Sequence, residues 1–181
     1  MKAIYVRDII KEIVARVELK LIAQLHAFDA SIVQINYQAA PPKEINETLI
    51  EWTGSTNYDT KKFPLFGLFQ GFGEQKGKEI GLDGVEKITI IIARINDQNL
   101  KTDERYENNF KPVLYPIYLE FLHQLFLDKR IMARSENDFP HTKIDWPYWG
   151  GTEQQPKNPF NDRMDIIELK DLTLKINLKN C

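Results

Sequence analysis

The stretch "EKITIIIARI", residues 86–95, constrains the fold more than any other part of the chain. It is β-branched almost throughout, which favours a pleated strand over a helix, and its central apolar residues run on without alternation. A strand of that kind offers no face to water. It is therefore expected at the centre of a sheet, covered on both sides.

Two helices are expected to pack on that sheet. Between Val6 and His26 the residues Ile10, Ile13, Val14, Val17, Leu21 and Leu25 recur at steps of three and four, with Arg7, Lys11, Arg16, Glu18 and Lys20 off that face. A second helical pattern runs from Tyr106 through Phe110, Val113, Leu114, Ile117, Phe121, Leu122 and Leu125, inside residues 102–127. Pro112 and Pro116 interrupt it, so either the helix starts near Lys111 or one longer helix bends there; a bent or restarted helix is the favoured form.

The remaining strands are weaker. "SIVQINYQ" (31–38) and "TLIEW" (48–52) flank Pro41-Pro42 and are expected to pair as an antiparallel hairpin, with "FPLFGLF" (63–69) as a third strand. "KRIMARS" (129–135) reads as a short strand. "MDIIELKDLTLKINL" (164–178) closes the chain, its alternation broken at Lys170-Asp171 by a bulge or tight turn. Residues 136–161, rich in Pro, Asn and Gly, read as an irregular, loop-rich insert. The fold class is α+β: one domain over 1–181, with a mixed or mostly antiparallel sheet, an N-terminal helix and a second long helix packed on it.

Charge and cysteine usage narrow the function classes. Lys and Arg total 24 against 26 acidic residues, interspersed, for a net charge of −2, so no basic stripe marks the chain as a tight nucleic-acid binder. The single cysteine, Cys181, provides no internal disulfide and fits a reducing compartment. "MKAIYVRDIIKEIVARVE" carries charge every few residues, unlike a signal peptide, and no stretch approaches the ~20 apolar residues that span a bilayer. The expectation is synthesis in the cytosol and no membrane insertion.

Three motifs invite chemistry. "GFGEQKGKE" (71–79) has five residues between Gly71 and Gly77 and Glu79 in place of a magnesium-binding hydroxyl, so it is not a phosphate loop. His26, His123 and His141 lie far apart with no thiolate among them, so no metal site is expected, and no cofactor. "PHTKIDWPYWGG" (140–151) crowds His141 and Asp145, the best acid–base candidates, beside Trp146, Tyr148 and Trp149. No activated nucleophile accompanies them. The aromatics Trp146, Tyr148 and Trp149, and Phe66, Phe69 and Phe72 in "FPLFGLFQGF", are candidate interface residues, with an internal clamp as the bland reading. The glycine-rich span 66–84 is expected to end a strand and form a protruding contact loop.

The order of elements around "KITIIIARINDQNLKTDERYENNFKPVLYPIYLEFLHQL" and "NPFNDRMDIIELKDLTLKIN" resembles the bacteriophage tail terminator and tail-completion (head–tail joining) proteins. "RYENNFKP", "YPIY" and "HTKID" are similar to prophage proteins of the Bacteroidetes. The first resemblance implies a non-enzymatic virion component, a ring, usually a hexamer, that closes the tail tube or joins tail to head. Its partners would be copies of itself and tail or neck proteins, with DNA as passing cargo and no membrane. It would sit in the virion, and in the host cytoplasm during assembly. Six copies at net −2 would carry −12 in all, which suits sliding better than gripping. The alternatives are a small enzyme using His141 and Asp145, or a binding module using the aromatic loop.

Overall fold

The computed structural model of the chain describes residues 6–53, 61–76, 84–95, 99–150, 160 and 162–177, with backbone alone for 70–76 and 84–86. Its elements in order are helix α1 (Val6–Phe28), strand β1 (Asn36–Ala40), helix α2 (Pro42–Trp52), strands β2 (Leu65–Lys76) and β3 (Gly84–Ile95), a long helix, and strands β4 (Thr142–Trp149) and β5 (Met164–Ile176). The long helix passes from α3 (Thr102–Arg105) through π-helical turns (Tyr106–Leu114) into α4 (Tyr115–Leu127).

The five strands form one sheet in the order β1-β2-β3-β5-β4. Only β1 and β2 are parallel; the other neighbours run antiparallel. β3 lies at the centre, as its apolar run requires. Ile88, Ile90 and Ile92 face a core shared with Ile10, Ile13, Val17, Ile117, Phe121 and Leu125 of α1 and α4. Ile91 and Ala93 face a second core under Ile45 and Leu49 of α2. The class is thus α+β with helices on both faces.

Three expectations need correction. "TLIEW" is not a strand: Ile45, Leu49 and Trp52 recur at helical spacing behind Pro42 in the first turn, and α2 is the crossover that a parallel β1–β2 pair demands. The insert 136–161 is not irregular throughout, because "TKIDWPYW" is edge strand β4 paired with β5. "KRIMARS" contributes one isolated bridge, Ile131 to Ile176, rather than a strand. The bulge at Lys170-Asp171 is present: the β3–β5 register shifts between Ile88 and Ile90, and Asp171 has φ 54°. The glycine-rich span 66–84 lies in the β2–β3 hairpin, with 77–83 outside the described residues.

The long helix neither restarts nor stops at the prolines. Pro112 has no N–H, so an α-helical bond from it to the carbonyl of Asn108, or a π-helical one to that of Glu107, cannot form. The π winding carries the chain past this break, and the Asn108 carbonyl accepts from Arg94 Nη1 at 2.9 Å. No helix among the described residues is long and apolar enough to cross a membrane.

Candidate functional site

The π-helical turns and α4 face the edge strand β4, and between them lies the densest polar cluster near the residues singled out in the sequence. Thr142, Ile144 and Trp146 alternate with Lys143 and Asp145 along β4. Lys143 and Asp145 point toward the long helix. The Lys143 ammonium is 2.5 Å from Asp145 Oδ1 and sits over the rings of Tyr115 and Tyr118, at 4.7 and 5.6 Å from their centroids. Tyr115 donates its hydroxyl to Asp145 Oδ2 at 2.7 Å. Burial, and then the Asp145 charge, push the phenols of Tyr106, Tyr115 and Tyr118 above their ordinary range. These tyrosines are hydrogen-bond donors, not ready nucleophiles.

His141 is held separately. Its Nδ1 lies 2.6 Å from the Phe139 carbonyl, which can only accept, so Nδ1 carries the proton and Nε2 accepts from the Tyr118 hydroxyl at 3.1 Å. His141 and Asp145, expected as a pair, are therefore committed to different tyrosines. Both side chains tie β4 and the residue before it to the long helix.

A second network, buried at Arg105, Asn109 and Asp165, ends the same strand. Arg105 and Asp165, both without exposed side-chain surface, pair at 3.0 Å. Asn109 Nδ2 donates to the other Asp165 oxygen at 2.5 Å, and the Tyr148 amide donates to Asp165 at 3.2 Å. The Tyr148 ring lies 3.6 Å below the Arg105 guanidinium, and both Tyr148 Oη and Arg105 Nε donate to the Leu100 carbonyl. Within this network Tyr148 has φ 62°, and the β4–β5 register shifts between Trp146 and Trp149.

The candidate interface residues separate accordingly. Phe66 is a correction: it is fully buried, with its ring 4.8 Å from Phe121. Phe69 is half-buried in the second core, 6.4 Å from Phe160, and Trp149 packs on the same ring at 4.9 Å. Tyr148 is the clamp just described. Phe72 lies in β2, its side chain outside the described residues. Among the candidates whose side chains are described, Trp146 alone is exposed, with Nε1 donating to Glu168. Comparison with family models, curated proteins and solved structures finds no match.

Sequence reading missed a larger surface on α4. Ile117, Phe121 and Leu125 turn inward, yet Leu119 is 61% and Leu127 54% exposed, with Pro116, Leu122 and Phe126 half-buried beside them. Helix α1 adds Leu19, 80% exposed, and lies alongside α4 through Arg16, which reaches Gln124 and Asp128. The signal was in "YPIYLEFLHQLFL", which is apolar around most of its circumference. Among the described residues no group of three His, Cys, Asp or Glu side chains could hold a metal ion.

Proposed function

We propose that this chain is a structural subunit of a phage particle, closing the tail tube or joining tail to head as a ring of copies. The observation that carries the reading is the outer face of α4. The outward side of a surface helix is normally polar, and here one side of α4 meets the sheet and α1 while Leu119 and Leu127, on either side of His123, face water. Covering that face is what assembly would do. The tyrosine cluster supports the same reading, since Asp145 and His141 are each bonded to a tyrosine of the long helix. The tail-terminator resemblance supplies the assembly class and the expected count of six.

The test is light scattering across a concentration series together with electron microscopy of the concentrated protein and of particles. A monomer that converts to rings, with Leu119→Glu blocking the conversion while leaving the far-ultraviolet spectrum unchanged, supports the reading. A concentration-independent dimer as the sole species, or rings unaffected by Leu119→Glu, overturns it.

A further inference from the structure

Strand β4 is the last of the sheet, so one of its two edges has no neighbouring strand. Backbone alternation fixes which residues face that edge. The Asn36 amide donates to the Pro64 carbonyl across β1 and β2, which turns Leu65 and Gly67 toward β3 and their partners Ala93 and Ile91 toward β2. Ile90 and Ile92 therefore face β5, and their partners Leu169 and Ile167 face back. That leaves Ile166 and Glu168 to bond Trp146 and Ile144 of β4, so the N–H and C=O of Lys143 and Asp145 point outward. None of these outward groups bonds to a described residue.

The open edge matches itself. An antiparallel pairing about a two-fold axis at Ile144 places Lys143 opposite the partner's Asp145, Asp145 opposite the partner's Lys143, and Ile144 on Ile144. Every outward N–H then meets an outward C=O, because Lys143 and Asp145 are the residues that face away from β5. Opposite charges stand across from each other and like charges do not. Trp146, 37% exposed, lies across from the partner's Thr142 with its indole N–H held by Glu168. Pro147 has no N–H, and the β4–β5 register shifts beyond Trp146, so the open ladder ends there.

We infer that β4 pairs edge to edge with β4 of a second copy of this chain, antiparallel about Ile144. The choice of occupant rests on that self-complementarity: backbone ladder, charges and Ile144 all match under one two-fold operation. An unrelated extended segment would match the ladder alone. The contact is separate from the α4 face and does not rest on it. Since a two-fold contact closes on itself, on a ring it would join copies from two rings.

The experiment is sedimentation equilibrium of the full chain carrying Leu119→Glu, which silences the α4 face. A concentration-dependent dimer is expected. Lys143→Pro removes an outward donor from each copy without touching a bond to β5, whereas Lys143→Ala removes the same side chain and keeps the donor. The proline variant should therefore dimerise about 5- to 150-fold more weakly than the alanine variant, the worth of two hydrogen bonds. Charge supplies the second arm. Lys143→Glu alone sets acid against acid, and Asp145→Lys alone sets lysine against lysine, so each should remain monomeric. Mixed in equal amounts they restore opposite charges at both pairs, and the dimer should return, a recovery that a merely unfolded variant does not show. No dimer in the Leu119→Glu protein at any concentration, equal association of the proline and alanine variants, or a mixture no more associated than its components overturns the proposal. This dimer in a protein that forms no rings refutes the ring alone, and rings without this dimer refute this contact alone.

Discussion

Replacing Asp165 by alanine tests the claim that the end of β4 is held by a buried charge network. The substitution removes one partner from a pair in which neither side chain is exposed, and it leaves the Arg105 guanidinium in place with its Leu100 carbonyl and the Tyr148 ring. It also strips Asn109 Nδ2 and the Tyr148 amide of their acceptor. Breaking a buried pair in this way costs about 3 to 5 kcal/mol, chiefly because the survivor is a charge away from water. For a domain of this length a kcal/mol moves the melting temperature by about 2 to 4 °C, so the expected fall is about 6 to 20 °C. The assay is urea and thermal unfolding followed by circular dichroism, with an unchanged m-value as the sign that the denatured state is not responsible. Replacing both partners, Arg105→Leu with Asp165→Leu, should recover much of the loss, since it removes both buried charges together. A cost below about 1 kcal/mol for Asp165→Ala, or a double variant worse than the single ones combined, would refute the reasoning.

Three further outcomes follow from the geometry. Asp128 is buried, which alone would raise its pKa, but hydrogen bonds from Arg130 and Arg16 outweigh burial and bring it down to about 2 from the ordinary 3.8. Its stabilising contribution is therefore complete above about pH 4 and lost as the pH falls through about 2; urea midpoints of the parent and Asp128→Asn should differ at neutral pH and converge near pH 2, and a constant gap would sink the assignment. A methyl group at Gly67 would lie 2.8 Å from Ile91 Cγ1, in the tightly filled second core, so Gly67→Ala should cost about 1 to 3 kcal/mol in chemical denaturation, and a neutral result would mean that Ile91 has room to move. At Gly150, with φ 91°, an added Cβ would meet the Asp162 carbonyl oxygen at 2.1 Å; Gly150→Ala should lower the melting temperature more than Gly67→Ala, and the reverse order would contradict the backbone geometry.

The polar clasp on β4 was half legible before the structure. Lys143 and Asp145 share a strand face by their spacing of two, and Tyr115 and Tyr118 share a helix flank by their spacing of three, but no local pattern says that the two pairs meet. The sequence segment around His141 looked like a catalytic loop because Pro, Gly and aromatics crowd it. Its strand character depends on β5 offering backbone partners from Met164 to Lys170, a relation that composition does not carry.

By itself, the sequence determined the elements whose signal is long and periodic: α1, the central strand β3, the helical character of 102–127, and the bulge in β5, where Lys170-Asp171 breaks an alternation. Each is set by neighbours in the chain, since side-chain period dictates which face must leave water. Tertiary structure alone decided the rest. "TLIEW" taken alone suits a strand; the helical spacing of Ile45, Leu49 and Trp52 pointed the other way, and the parallel pairing of β1 and β2 requires a crossover there. Pro112 lies in the π-helical turns, where the Asn108 carbonyl also accepts from Arg94, a residue of another element. Arg105 and Asp165, sixty residues apart, are buried because each neutralises the other's charge, and burial of a charge is decided by its partner and not by its own place in the chain.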